Sequence, residues 1–153
     1  MTNLRDVRKS LAAEPEDFSG SLVDCSGLLA VYIACMNRGI LDFYTGGKVL
    51  LQSNVDRHHI LPRAQFPENK RSSADNVANI AFIAGDVNNS IGQSGPEVYL
   101  KHLKKRVLAS QCISIDRNLW SIENAKDFWE ARRNLLAESF NEFVRNALPQ
   151  RRV

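Results

Sequence analysis

Two short apolar segments, separated by a polar loop, place the strongest constraint on how this chain can fold. The segments are "KVLLQSNVDR", which begins at residue 48, and "NIAFIAG", which begins at residue 79. Both are short and end in turn residues, which is typical of β-strands. The polar residues 61–76 between them predict a loop, and helical patterns follow Gly85. The predicted centre of the fold is therefore strand, loop, strand, helix.

Helices are predicted before this centre and directly after it. Residues 1–18 predict a short helix that ends before Pro15. Residues 27–38 are apolar on nearly all sides, which predicts a buried helix that ends at Gly39.

After the second strand, Asp86 is expected to cap one turn. Ser94, with Pro96 following it, predicts the start of a helix that continues to about Leu108.

The last third of the chain predicts a long amphipathic helix from about Asn124, with Trp120 and Trp129 in the core. With 153 residues, the chain is long enough for one domain with its own core, spanning 1–153. The predicted fold class is α+β and mainly helical, with flanking helices in 1–45 and 120–148.

Composition narrows the functional classes. The 44% hydrophobic and 24% charged content is typical of a soluble globular protein, and the apolar run near residue 30 is too short for a membrane span. Three cysteines without a C-x-x-C pair argue against a disulfide framework, so we predict a reducing, cytoplasmic location. The net charge of +3 permits a nucleic-acid partner without requiring one.

The adjacent pair His58 and His59 carries the clearest chemical signal. Neutral imidazole is the commonest protein metal ligand and also the side chain best suited to accept a proton near neutral pH. Neighbouring residues of a regular strand point to opposite faces, so both can serve one substrate only if the backbone bends here. The amide oxygens of Asn79 and Asn88 suit a hard divalent cation.

The segments "DRHHILPR" and "NVANIAFIAGDVNN" together resemble the HNH endonuclease superfamily, whose ββα-metal motif surrounds one divalent ion. With "PEVYL" added, the chain is similar to the C-terminal nuclease domain of GmrSD-type modification-dependent restriction enzymes, and to phosphorothioate-sensing defence nucleases. The likeness is best over residues 54–100. It implies a ββα-metal centre within about 49–108.

The resemblance also implies a role for each matching residue. His58 would be a metal ligand, where many relatives have Asp, and His59 the general base. Asn79 would brace the loop that carries the base, and Asn88 would be the second metal ligand, with Asn89 as the adjacent alternative. Mg²⁺ is the first choice of metal, and Mn²⁺, Ni²⁺ or Zn²⁺ stay open because His58 makes the site softer.

The implied reaction is metal-dependent hydrolysis of DNA phosphodiester bonds, as nicking or cleavage, in bacterial defence against foreign or phage DNA. Cationic side chains near the histidines are expected to contact DNA phosphates. These are Arg57, Arg63, Lys70 and Arg71. For Lys101, Lys104, Lys105 and Arg106, a solvated helix face and a DNA-facing one are equally good interpretations. Asp56 is expected to orient Arg57 or the loop, and His102 to be unrelated to the site.

Several alternatives stay open at this point. The chain could be an HNH scaffold without activity that only holds DNA or a partner, a structural metal site in an adaptor protein, or an RNA-cleaving enzyme. The resemblance implies an N-terminal nucleotide-binding sensor domain or a separate sensor chain, so the sequence could be an excised nuclease domain or a stand-alone effector. A double-strand break would need a homodimer or two nicks.

Overall fold

The computed structural model describes residues 7, 9–23, 25–51 and 54–148, and these residues form a mainly helical α+β structure with one two-stranded sheet. Its helices are α1 (Cys25–Asn37), α2 (Gly85–Ile91), α3 (Pro96–Tyr99), α4 (Lys105–Ser110) and α5 (Ala125–Ala147), and its strands are β1 (Val55–His59) and β2 (Ile80–Ala84). Segments of 3-10 helix lie at Pro15–Phe18, Val49–Leu51, Arg63–Gln65, Glu68–Asp75, Val77–Asn79, Leu100–His102 and Arg117–Leu119. None of the described helices is both long and apolar enough to cross a membrane.

The two strands pair in antiparallel fashion, and their register positions the histidine pair at the end of the sheet. Val55 pairs with Ala84, and His59 pairs with Ile80. All five residues of β2 are buried, because helices and loops cover both of its faces. The second predicted strand is confirmed. The first was placed too early: Val49–Leu51 forms a 3-10 turn with Leu50 and Leu51 exposed, and the strand consists of the more polar residues 55–59.

The two longest helices pack against each other and form much of the core. The hydroxyl of Ser139 on α5 donates to the backbone oxygen of Ala34 on α1 at 2.7 Å. The predicted helices at both places are confirmed. The first ends at Asn37, and Gly39, with a φ of +72° that suits glycine, follows two residues later. Yet α1 is not buried on all sides, because Leu29 is 58% exposed. The helix predicted in residues 1–18 falls largely on residues 1–6 and 8, which lie outside the described ranges.

The helix predicted from Ser94 to Leu108 is wrong. It is divided into α3, a 3-10 turn and α4, because Leu103 and Lys104 adopt extended backbone conformations between them. Gly95, not Ser94, precedes α3, and its residue Pro96 sits at the first turn as predicted. Asp86 likewise does not occupy a capping position. The N-cap residue of α2 is Ala84, and Asp86 lies within the first turn of the helix.

Polar side chains fasten β2 to the rest of the protein. The side-chain amide of Gln111 pairs with the backbone of Phe82 as a neighbouring strand would. It donates to the backbone oxygen of Phe82 at 2.6 Å and accepts from the Phe82 N–H at 3.3 Å. The fully buried guanidinium of Arg132 donates to the backbone oxygens of Ala78 and Ile80, each at 2.6 Å. Both contacts secure the strand that faces the histidine pair.

A buried carboxylate, Asp42, closes the loop after α1. It accepts hydrogen bonds from the backbone N–H groups of Ala84, Tyr44 and Thr45 and from the Thr45 hydroxyl, at 2.8–3.0 Å. Burial acts to raise the pKa of Asp42, but these four hydrogen bonds outweigh it and hold the pKa below its ordinary value.

We predict that Asp42→Asn lowers the free energy of unfolding at pH 7 by about 1.5–3 kcal/mol, because the amide cannot accept at both oxygen positions. Because its pKa is lower in the folded protein, Asp42 becomes protonated at a higher pH in the unfolded chain than in the folded one. The contribution of this carboxylate to the free energy of unfolding is therefore present above about pH 5 and is lost progressively below it. Urea unfolding from pH 7 to pH 3 should show that the difference in free energy of unfolding between the wild type and Asp42→Asn becomes smaller. The exposed Asp127→Asn is the control, and a gap that stays constant with pH would contradict the assignment.

Candidate active site

An open cleft with a volume of about 540 Å³ lies where β1 ends beside α2. Basic and neutral side chains line it, and no acidic residue is among the lining residues of the described chain. They are Arg57, His58, His59, Pro62, Arg63, Ala64, Arg71, Asn88, Gly92 and Gln93. The cleft thus brings together both histidines, one of the two candidate asparagines and three of the four predicted phosphate-binding residues.

His58 points from β1 toward α2 and is almost fully buried, with 3% of its surface exposed. Its Nδ1 atom lies 2.8 Å from Oδ1 of Asn88. Its Nε2 atom lies 3.1 Å from the hydroxyl of Tyr99, and the ring of Phe43 packs edge-on against it. Burial lowers the pKa of His58 to about 4, although the contact with Asn88 acts in the opposite direction, so the imidazole is neutral at pH 7.

His59 lies in a different environment although it is the next residue. Its Nε2 atom is 3.2 Å from Oδ1 of Asp75, and its side chain is 30% exposed. The other carboxylate oxygen of Asp75 lies 3.7 Å from the guanidinium of Arg63. Since a carboxylate only accepts, Nε2 of His59 donates, and in the neutral form of the ring Nδ1 carries the lone pair. Both histidines line the cleft although β1 stays paired through His59, so the expected backbone bend within the pair is absent.

Asn79 is fully buried directly before β2, and its amide joins the two ends of the loop 61–74. Its Oδ1 accepts from the backbone N–H of Leu61 at 2.9 Å. Its Nδ2 donates to the backbone oxygens of Leu61 and Ala74 at 2.9 and 2.8 Å. Asn79 therefore fixes the backbone two residues after His59 and directly before Asp75, and it does not line the cleft. Its role in bracing a general base stays a prediction.

The predicted cations divide between two surfaces. Arg57, Arg63 and Arg71 line the cleft. Lys70 instead lines a separate groove of about 640 Å³, which also contains the stacked rings of Phe66 and Trp129.

Three further assignments can be compared with the structure. Asp56 was expected to orient Arg57 or the loop. Its side chain instead lies 3.4 Å from Nδ2 of Asn88, the candidate metal ligand. Asn89 is exposed and is not a lining residue of the cleft, whereas Asn88 is. His102 lies in a short exposed turn and contributes nothing to the cleft.

Sequence reasoning missed the residues that orient the histidines. Asp75 is one of many charged residues in a polar loop, and only its position four residues before Asn79 could have indicated a role. Tyr99 occurs within "PEVYL", but one tyrosine in a predicted helix gives no sign of a contact with a histidine 41 residues earlier. Burial raises the pKa of Tyr99 well above its ordinary value, so its hydroxyl keeps its proton.

The donor atoms available to a metal ion are few. Among the described residues, no group of three or more His, Cys, Asp or Glu side chains is placed to hold an ion. The candidate ligands are Nδ1 of His58 and Oδ1 of Asn88, 2.8 Å apart. Two ligands at right angles around an ion with bonds of about 2.1 Å lie about 3 Å apart, so this pair fits two adjacent positions of an octahedral site.

Comparisons of the chain with family models, with curated proteins and with solved structures give no match.

We predict that Asn79→Ala lowers the free energy of unfolding by about 3 kcal/mol or more, because it leaves three buried backbone groups of Leu61 and Ala74 without partners. Asn89→Ala, an exposed asparagine ten residues further on, should change it by less than about 0.5 kcal/mol. Urea unfolding of both variants measures the difference. Equal stability of the two variants would show that the amide of Asn79 is not the brace of this loop.

Proposed function

We propose that this protein is a divalent-metal-dependent DNA endonuclease of the HNH class that hydrolyses phosphodiester bonds one strand at a time. One observation carries the proposal. A histidine held by a carboxylate, His59 on Asp75, and a second histidine facing an amide oxygen, His58 and Asn88, open into the same cleft, which arginines line. This arrangement supports the proposal that a proton acceptor, two metal-binding atoms and phosphate-binding cations surround one space.

The local architecture supports an HNH centre. β1 carries both histidines, the loop 60–79 returns the chain to β2, and α2 follows β2 without an intervening residue. Asn88 lies on α2, one turn from its start, which brings it to His58 on β1. Strand, loop, strand and helix thus occur in the order that the ββα-metal motif requires.

His58 and Asn88 are the residues that would hold the ion. A divalent ion bound there would polarise the phosphate and stabilise the negative charge on the leaving 3′-oxygen. Asn88 is oriented by the carboxylate of Asp56, and His58 by the hydroxyl of Tyr99. Mg²⁺ is the proposed ion, and the neutral imidazole ligand makes Mn²⁺, Ni²⁺ and Zn²⁺ alternatives to be compared with it.

His59 is proposed to act as the general base. Asp75 accepts a hydrogen bond from Nε2–H of His59, which leaves the lone pair on Nδ1 for a proton from water. The water oxygen then bonds to phosphorus, the bond from phosphorus to the 3′-oxygen breaks, and that oxygen takes a proton from solvent. The products are a 5′-phosphate and a 3′-hydroxyl. Arg57, Arg63 and Arg71 would hold the phosphates beside the scissile bond, with Arg63 also tied to Asp75.

The biological setting is proposed from the resemblance described above. It supports a role in defence against foreign DNA, with a nucleotide-binding sensor domain or a separate sensor chain that directs cleavage. One such site cuts one strand, so a double-strand break would need a second copy or a second nick.

The test is a supercoiled-plasmid nicking assay with Mg²⁺, Mn²⁺, Ni²⁺ or Zn²⁺. We expect the wild type to convert plasmid to open circles, and EDTA to stop the reaction. His59→Ala should reduce the rate by about 10²- to 10⁴-fold, the usual contribution of a general base. His102→Ala is the matched control, because it removes an exposed histidine outside the cleft, and its rate should equal that of the wild type.

Two results would contradict the proposal. If His59→Ala nicks as fast as the wild type, His59 is not the base. If the wild type retards DNA on a gel but cleaves it with none of the four ions, the interpretation as a DNA-binding module without activity replaces that of an enzyme.

A further inference from the structure

The hydroxyl of Tyr99 lies between two partners that together determine its role. It is 2.8 Å from the backbone oxygen of Ile60 and 3.1 Å from Nε2 of His58. A backbone oxygen can only accept, so the single hydrogen of the phenol is donated to Ile60. The phenol oxygen is then the acceptor for His58, and Nε2 of His58 must carry a hydrogen.

This choice has a consequence on the other side of the ring. A neutral imidazole carries only one N–H, so a hydrogen on Nε2 leaves a lone pair on Nδ1. Nδ1 faces Oδ1 of Asn88 at 2.8 Å. The orientation of that amide is set by Asp56, whose carboxylate accepts from Nδ2 of Asn88 at 3.4 Å. Two lone-pair atoms therefore face the same space. Their repulsion in the metal-free protein is opposed by the hydrogen bonds of Tyr99 to Ile60 and His58, and a cation bound beside both atoms would relieve it.

The opposite tautomer, with the hydrogen on Nδ1, would leave His58 and Asn88 without free metal-binding atoms. A hydrogen on Nδ1 would be donated to Oδ1 of Asn88, and both candidate metal-binding atoms would be occupied by each other. The position of one hydrogen on His58 thus decides whether Nδ1 and Oδ1 are open to an ion.

We propose that Tyr99, held by the backbone oxygen of Ile60, is a positioning residue that keeps His58 in the Nε2–H tautomer and so reserves Nδ1 for the metal ion. This inference rests on the proposed function for its metal, but the tautomer itself is a property of the metal-free protein. Tyr99 does not touch the substrate; it acts only through His58. The ring of Phe43, which packs against both His58 and Tyr99, keeps the two side chains in place.

The first test needs no variant. Long-range ¹H–¹⁵N NMR of the metal-free protein at pH 7 distinguishes protonated from unprotonated ring nitrogens. The chain has only three histidines, so His102→Ala and His59→Gln assign the signals of His58 by elimination. We expect a protonated Nε2 and an unprotonated Nδ1 in His58. A protonated Nδ1, alone or together with Nε2, would overturn the proposal.

The second test measures binding of Mn²⁺ by isothermal titration. Tyr99→Phe removes the acceptor for Nε2–H and should weaken binding by about 10- to 100-fold, the usual effect of losing a partner of a metal-bound histidine. It should also shift the His58 spectrum toward the Nδ1–H form. Tyr44→Phe, which changes a tyrosine that is 74% exposed, is the matched control and should bind as the wild type does.

A third arm separates positioning from a merely structural role. A carboxylate has no tautomers, so in a His58→Asp protein the further change Tyr99→Phe should leave Mn²⁺ affinity unchanged. If Tyr99→Phe weakens binding equally in both backgrounds, Tyr99 only supports the fold and the proposal fails. If the wild type shows the expected tautomer but binds no divalent ion, the proposed metal-dependent function fails while the tautomer assignment stands.

Discussion

The buried guanidinium of Arg132 is the interaction on which the rest of the structure depends. It extends from the long helix α5 and donates to the backbone oxygens of Ala78, Ile80 and Gln111. No carboxylate pairs with it among the ion pairs of the described residues, so backbone oxygens, together with a hydrogen bond to the side chain of Cys35, compensate the buried charge. Two of these oxygens flank Asn79.

That attachment reaches the candidate active site in two steps. Arg132 holds the backbone on both sides of Asn79, and the amide of Asn79 then ties Leu61 to Ala74. Leu61 lies two residues after His59, and Ala74 lies directly before Asp75. A cation on the C-terminal helix thereby sets the distance between the proposed base and the carboxylate that orients it. The sheet alone could not do this, because two short strands supply few cross-strand contacts.

The sequence predicts those parts of the fold that depend on local pattern. The apolar run of β2 and the 3.6-residue spacing of α5 are properties of single segments, and both elements occur where they were expected. The bounds of β1 could not be predicted in this way. Leu50 and Leu51 are apolar but exposed, while the more polar segment 55–59 forms the strand because it pairs with β2. Tertiary contacts outweigh β-propensity here.

The candidate site was predictable in part for the same reason. His58 and His59 were singled out as an adjacent pair, and Asn88 was assigned from the resemblance over residues 54–100; the structure brings the three residues to one cleft. Arg132 was not found, since an arginine beside Arg133 on an amphipathic helix has the pattern of a solvated face. Tyr99 and Asp75 were missed because only the fold brings them to the histidines.

The two histidines lie in different surroundings although they are neighbours in the sequence. His58 is buried and contacts neutral oxygen atoms on both ring nitrogens, which suits a neutral ligand of fixed orientation. His59 is partly exposed and donates to a carboxylate, which suits a group that gains a positive charge during the reaction. The alternation of side chains along β1 gives the two rings these separate surroundings, and both residues line the cleft at the end of the strand.

The most direct test of this account is anomalous diffraction from crystals of the protein grown with Mn²⁺. The account predicts one strong anomalous peak in bonding contact with both Nδ1 of His58 and Oδ1 of Asn88, on the side of the cleft that faces His59. A map without a peak at this position, with the two side chains bonded only to each other at saturating Mn²⁺, would contradict the central claim that His58 and Asn88 form a metal centre.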